Sequence, residues 1–84
     1  MISAILLDAA MWASIAKMGA AFAASIVVLG AALGISRIGA SALEAIARQP
    51  EAAQDLRSGM ILSAALIEGV AMFAVVVCFL VLFV

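Results

Sequence analysis

The stretch that decides the fold is GMILSAALIEGVAMFAVVVCFLVLFV, from Gly59 to Val84, which is 26 residues long and holds one charged side chain, Glu68. An apolar run of about 20 residues is long enough to cross the hydrocarbon core of a bilayer as a helix. A charged side chain at the centre of such a helix costs about 2.5–3.5 kcal/mol on insertion scales, and acids found there usually serve a function. The sequence therefore predicts a membrane-spanning helix that carries a functional acid.

The composition of the whole chain indicates the same class of protein. The chain has 84 residues, of which 70% are hydrophobic and 11% are charged, and its net charge is −1. A chain this short and apolar is typical of a membrane protein, because it cannot present a polar surface around a soluble core. It has no histidine, one cysteine and no basic cluster, so we expect no metal site, no bound cofactor and no nucleic-acid partner.

A second apolar run extends from Ala9 to Ser36 and is interrupted only by Lys17. The segment that precedes it lacks the basic region of a signal peptide, so we expect it to remain in the mature chain. Residues 37–58 separate the two runs and contain six of the nine charged residues. Three of these are arginines, which places the connection on the cytoplasmic side and both termini outside.

The only proline, Pro50, lies within this polar connection. Proline disfavours a helical conformation for the preceding residue and fits well at the start of a helix. The sequence therefore predicts one domain, 1–84, with helix one over about 3–49, a turn at about 48–53 and helix two over about 51–84. The fold class that follows is an all-α membrane protein, an antiparallel hairpin of two transmembrane helices.

Helix one is rich in small residues at alternate positions. Residues four apart share a face of a helix, whereas residues two apart lie about 200° around its axis. Small residues on two nearly opposite sides allow two neighbours to approach closely, which favours a homo-oligomeric ring. A generic small-residue contact in a dimer or bundle is the alternative. The positions predicted to pack in the ring are Gly30, Ala32, Gly34 and Ser36.

A turn centred between Glu51 and Ala52 places Ile35 level with Glu68. Arg37, two residues further on, then points away from the acid, toward the ring interior or the headgroups. The surroundings of the acid are apolar, which favours its protonated and uncharged form. The residues predicted to line the site are Ala31, Ile35, Ala64, Ala65 and Met72.

Two other functions are compatible with an acid in a membrane helix. In a structural or pore-forming oligomer, Glu68 would only fix helix packing through a hydrogen bond. A small drug/proton exchanger is less well supported, because such proteins need more spans and an aromatic pocket, whereas this chain has no tyrosine and one tryptophan.

The segment Ala47-Arg48-Gln49-Pro50-Glu51 lies between the two apolar runs, and Glu68 follows Arg48 by twenty residues. With the glycine- and alanine-rich first helix, this pattern resembles the c subunit of F-type ATP synthases over essentially the whole chain. The resemblance implies a rotor ring, with first helices inside and second helices outside, that couples proton flow to ATP synthesis.

The same resemblance implies the roles of particular residues and partners. Glu68 would carry the transported proton, and the chain itself would be non-catalytic. Arg48, Gln49 and Pro50 would contact the central-stalk subunits gamma and epsilon. The other partners implied are further copies of the chain, the a subunit of the stator and membrane lipids, in the inner (plasma) membrane of the cell.

Sodium-coupled members of this family resemble one another at two positions that supply oxygen ligands. They have a glutamine thirteen residues before the loop arginine and a hydroxyl residue directly after the acid. The corresponding positions here are Ile35 and Gly69. Neither side chain can offer an oxygen atom, so the sequence predicts coupling to protons rather than to sodium.

Overall fold

The computed structural model describes all 84 residues as two long helices joined by one short turn. Helix α1 runs from Ile2 to Arg48, a single 3-10 turn covers Pro50–Ala52, and helix α2 runs from Ala53 to Val81. The molecule is a rod of 73 × 14 × 8 Å, and both helices are long and apolar enough to cross a membrane. The predicted all-α fold class is confirmed.

The break between the helices lies where the proline predicts it. Gln49 has φ −134° and ψ 75°, outside the helical region, and Pro50 then begins the 3-10 turn. Helix α1 ends one residue earlier than we expected, and α2 begins two residues later, because residues 50–52 form the 3-10 turn instead of the first turn of α2. Asp55 lies in the first turn of α2, where the helix dipole favours a negative charge.

The two helices pack along one stripe on each, which we call the hairpin seam. Less exposed residues recur every three or four positions, the spacing of a stripe that follows one side of a helix, and in places the next residue, such as Ile35 or Val75, is also partly covered. Gly34 is the one glycine that faces the other helix closely, since an added Cβ would lie 3.2 Å from Cδ1 of Ile67, whereas nothing lies within 4 Å at the other five glycines. The seam of α1 consists of Ala20, Ala24, Val27, Ala31, Gly34, Ile38, Ala42 and Ala45, and that of α2 of Leu56, Met60, Ala64, Ile67, Ala71, Ala74, Cys78 and Val81.

The register of the hairpin differs from the one that we derived from the sequence. Gly34 is fifteen residues before Gln49, and its contact Ile67 is fifteen residues after Ala52. Counting outward in the same way, Leu33 is sixteen residues before Gln49 and Glu68 is sixteen residues after Ala52. Leu33, and not Ile35, therefore lies level with Glu68. The difference of two residues corresponds to about 3 Å along the helix axis. It arises because the connecting segment comprises residues 49–52, so its centre lies one residue earlier than we assumed.

Most of the surface of this hairpin is apolar and has no partner within the chain. One residue of 84 is buried, Ala20 at 8% exposure, while Phe73 is 79% exposed and Leu66 is 65% exposed. Helix α1 is also longer than α2, with 47 residues against 29, so its first residues extend past the end of α2. Such a surface requires lipid or further protein chains around it.

We predict that Gly34→Leu destabilises the pairing of the two helices by about 1–3 kcal/mol, because the new side chain would overlap Ile67. Energy transfer between dyes placed at level positions on α1 and α2, followed during titration with a denaturing detergent, measures this change. Gly30→Leu is the matched control, since nothing lies within 4 Å of a Cβ at Gly30. Equal effects of the two substitutions would contradict the seam described here.

Candidate functional site: a lateral carboxylate at Glu68

Glu68 lies on the side of the hairpin and not in its seam. It follows Ile67, which faces α1, and one residue is a rotation of about 100° around a helix. Its side chain is exposed in the single hairpin. The carboxylate accepts no hydrogen bond within the chain, because the only two side-chain hydrogen bonds are donated by Ser14 and Ser25 to backbone carbonyls of α1.

The carboxylate opens into a shallow groove between the two helices, which we call the Glu68 groove. The groove has a volume of about 280 Å³, and Glu68 is its only polar side chain. An ionised carboxylate among apolar side chains is unfavourable once lipid or protein excludes water from the groove. The residues that line it are Val27, Val28, Ala31, Ala32, Glu68, Ala71, Met72 and Val75.

The structure brings some of the predicted lining residues to this groove and leaves others elsewhere. Ala31 and Met72 line it together with Glu68, whereas Ile35, Ala64 and Ala65 do not. The two-residue difference in register moves Ile35 toward the turn. Sequence reasoning missed Val27, Val28, Ala32 and Val75 as lining residues. A turn centred on the 49–52 segment would have brought Ala32 to within one residue of the level of the acid. Val75 follows Glu68 by seven residues, which is about two turns, so both lie on the same side of α2.

The opposite side of the hairpin has a different groove, which we call the Gly30 groove. It has a volume of about 500 Å³ and has no charged side chain in its lining. Gly30 and Ala32 are two residues apart on α1, as are Leu66 and Glu68 on α2, and such pairs lie about 200° apart. The residues that line the Gly30 groove are Val27, Gly30, Ala31, Leu66, Ile67, Val70, Ala71 and Ala74.

The hairpin therefore presents two unlike sides, the Glu68 flank and the Gly30 flank. Of the residues predicted to pack in a ring, Ala32 lies on the Glu68 flank and Gly30 on the Gly30 flank. Gly34 contributes to the seam of its own hairpin through its contact with Ile67. Ser36 is exposed and lines none of these grooves.

A third groove, the Arg37 groove, lies nearer to the turn. It has a volume of about 480 Å³, and half of its lining residues are hydrophobic. Arg37 lines it and does not line the Glu68 groove, so the guanidinium group does not lie beside the acid of its own chain. The residues of this groove are Arg37, Ile38, Ser41, Ala42, Ala45, Asp55, Leu56, Gly59, Met60 and Ser63.

The residues predicted to contact a central stalk lie together at the tip of the hairpin. Arg48 ends α1, Gln49 makes the break, and Pro50 begins the 3-10 turn. All three side chains are exposed. They are separated from Glu68 by about four turns of α2, so the tip and the acid are two distinct regions of the molecule.

Two long apolar helices, a polar turn and one carboxylate on the lateral surface define the class of small membrane hairpin that carries a single intramembrane acid. A family model for the ATP synthase c subunit matches residues 18–81. The chain is 57% identical over 83 residues to the ATP synthase c subunit of Phocaeicola vulgatus, with 99% of both chains covered. It is 61% identical over 83 residues to the same protein of Bacteroides fragilis, with 99% of this chain and 98% of the relative covered.

The chain belongs to the family of ATP synthase c subunits. The family that we identified from the arginine-glutamine-proline turn and the acid twenty residues after Arg48 is therefore confirmed. A third relative, the ATP synthase c subunit of Azobacteroides pseudotrichonymphae, is 64% identical over 78 residues, which cover 93% of this chain and 95% of the relative.

We predict that Ala32→Leu slows the modification of Glu68 by a hydrophobic carbodiimide by a factor of several, because the larger side chain fills the groove into which the carboxylate opens. The rate is measured by mass spectrometry on the chain dispersed as monomer in detergent. Gly30→Leu, on the other flank, serves as the control and should leave the rate unchanged. A rate that is unaffected by Ala32→Leu would show that the reagent reaches the acid by another path.

Proposed function

We propose that this chain is one of a set of identical rotor-ring subunits and that it carries one transported proton at a time on Glu68. The observation that carries the proposal is the position of this carboxylate, unpaired and exposed on the side of the hairpin, in a groove with no other polar side chain. A structural acid would need a hydrogen-bond partner, whereas an acid that takes up and releases protons must be reachable. The chain performs no chemistry on ATP and needs no cofactor.

The physical basis of transport is the difference in cost between the two forms of the acid. The protonated carboxyl is uncharged and can face lipid, whereas the ionised form is excluded from lipid by several kcal/mol. The proton enters through the a subunit of the stator, and the neutral site then rotates through lipid. After nearly a full turn, an arginine of the a subunit favours the ionised form, and the proton leaves on the other side.

The energy of one proton explains the need for many sites. A unit charge that crosses a membrane potential yields about 2.3 kcal/mol per 100 mV. Synthesis of one ATP requires several such contributions, and a ring with one acid in each hairpin accumulates them as rotation. The central-stalk subunits gamma and epsilon receive this rotation at the exposed tip formed by Arg48, Gln49 and Pro50.

The two unlike flanks support a closed ring of hairpins. When unlike surfaces of identical subunits meet, each contact is heterologous, and repetition about an axis closes a ring. Helix α1 lies inside this ring, because its small side chains, such as Gly30 and Ala32, occupy less width than those of α2. The three arginines of the connecting region favour a turn in the cytoplasm, with both termini on the outer side of the inner membrane. Lipids cover the remaining apolar surface.

The chemistry of the groove favours a proton over sodium as the transported ion. A sodium ion without water needs several oxygen ligands at once, as selectivity filters show for related cations. Glu68 supplies the only side-chain oxygens in its groove. A proton needs no ligand beyond the carboxylate that it neutralises.

We predict that Glu68→Gln abolishes proton transport through the complex while leaving the ring assembled, because glutamine keeps the size and hydrogen-bonding capacity of the side chain but does not release a proton. Proton flux into vesicles and the mass of the purified oligomer are measured together. Normal transport by the variant would instead support a purely structural role for this side chain.

We predict a companion result for chemical modification of the wild-type oligomer. A hydrophobic carbodiimide requires a protonated carboxyl in apolar surroundings, so modification of Glu68 should decline as the pH rises and should not change when sodium is added. Protection by sodium would reveal a cation site and contradict proton coupling.

We predict that the double variant Ile35→Gln/Gly69→Ser acquires protection of Glu68 by sodium, because it supplies side-chain oxygens at the two positions where sodium-coupled members of the family have them. The serine directly follows Glu68, and the long side chain of the glutamine can span the offset of about 3 Å along the helix axis between position 35 and the level of the acid. The space is available at Gly69, where nothing lies within 4 Å of an added Cβ. The rate of carbodiimide modification is compared with and without sodium at a fixed pH. The matched control, Ile35→Leu/Gly69→Ala, adds similar bulk without oxygen atoms and should show no sodium effect.

A further inference from the structure

Asp55 and Arg57 are oppositely charged residues near the start of α2, and neither has a partner in its own chain. Both side chains are exposed. They are two residues apart, so they point in directions about 200° apart and do not contact each other. The only side-chain hydrogen bonds of the hairpin lie far away, at Ser14 and Ser25.

The two charges lie on different flanks of the hairpin. Asp55 lines the Arg37 groove with Gly59 and Ser63, whereas Arg57 does not line that groove. Eleven residues are close to three turns of an α-helix, so positions eleven apart share a face. Asp55 therefore shares the face of Leu66, on the Gly30 flank, and Arg57 shares the face of Glu68.

We propose that Arg57 of each hairpin forms an ion pair with Asp55 of the next hairpin, and that these pairs form a continuous belt around the cytoplasmic rim of the ring. The inference rests on the ring assembly of the proposed function, in which the Glu68 flank of one copy meets the Gly30 flank of its neighbour. The partner is thus a second copy of this chain, and each interface contains one pair.

The geometry of α2 permits this pairing without a shift of one hairpin against the next. Asp55 and Arg57 differ in height by two residues, which is about 3 Å along the helix axis. A guanidinium group on its long side chain spans such an offset easily. Both residues lie in the polar connecting region outside the apolar run that begins at Gly59, where water and counterions are available.

The belt of ion pairs fixes the height of each hairpin relative to its neighbour, which the apolar flanks do only weakly. Lipid tails are as apolar as the side chains of these flanks, so contact between two apolar flanks has no hydrophobic advantage over contact with lipid. The relative height of two neighbours then depends only on how well their surfaces fit together. A charge pair at a fixed position on α2 adds a preferred vertical register. Each hairpin is thereby aligned with the next, and every Glu68 lies at the same depth in the membrane.

The first test exchanges the charges. Asp55→Arg and Arg57→Asp each place like charges across the interface, and each should shorten the half-time of ring dissociation in a denaturing detergent by about threefold or more at low salt. The double variant Asp55→Arg/Arg57→Asp restores opposite charges and should return the half-time to within about twofold of wild type. Glu51→Arg, which makes the same charge change in the turn, is the control and should have little effect.

Several outcomes would overturn the proposal. These are unchanged half-times in both single variants, a double variant that is no more stable than the single variants, or an equal loss in Glu51→Arg. Where a single variant fails to assemble at all, recovery of the assembled ring in the double variant provides the same evidence, and failure to recover it contradicts the belt.

The second test detects the contact directly. In the Arg57→Lys variant, a water-soluble carbodiimide joins the carboxyl of Asp55 to the new ε-amino group as an amide, and the reagent takes up the released water as its urea. Because the two side chains of one chain point apart, the bond forms only between copies and should give a ladder of dimers, trimers and larger species on a denaturing gel. The control Arg57→Lys/Asp55→Asn should give none, and a ladder absent from both would overturn the proposal.

The design separates this inference from the proposed function. Modification of Glu68 by a hydrophobic carbodiimide and the mass of the wild-type oligomer are measured on the same preparations. An intact wild-type ring with normal Glu68 modification but no effect of the charge variants refutes the belt alone. A wild-type protein that does not form a closed oligomer refutes the ring, and the belt with it.

Discussion

The absence of water from the interior of a bilayer is the constraint on which this structure depends. Each backbone polar group must be satisfied within its own segment, so the chain crosses as helices, and 70 of its 76 backbone hydrogen bonds lie within them. The same absence of water gives Glu68 its importance, because an acid has a large preference for its neutral form only where water cannot solvate its charge. Fold and function therefore depend on one property of the surrounding medium.

Much of the fold could be predicted because its signals are local. The length of the apolar runs predicted the two helices, and Pro50 predicted the position of the turn to within two residues. The register was less accurate, because it depends on whether the residues after the proline continue as α-helix or form a separate 3-10 turn. That choice moved the residue level with Glu68 from Ile35 to Leu33, so the lining of the groove was predicted only in part. Which small residue of α1 faces α2 was also not apparent, since Gly30 and Gly34 look equivalent in sequence.

The two flanks show how a chain with few polar residues can still specify its neighbours. On each helix, residues two apart provide different surfaces, so Leu66 and Glu68 belong to different sides of the same hairpin. A protein with identical sides would favour a two-fold pair, whereas unlike sides lead to repetition around an axis. The Glu68 flank and the Gly30 flank thus favour assembly of hairpins side by side around an axis over a two-fold pair.

The difference in side-chain size between the helices gives the hairpin the shape of a wedge. Gly30 and Ala32 make α1 narrow, while Leu66, Val70 and Met72 make α2 broad at the same height. In the ring that we propose, identical wedges close after a number of copies that is set by their taper, and each copy contributes one acid to a full revolution. The glycines and alanines of α1 thereby help to set the number of protons carried per revolution. A narrower inner helix closes the ring with fewer copies and so gives fewer protons per revolution, and a wider one gives more.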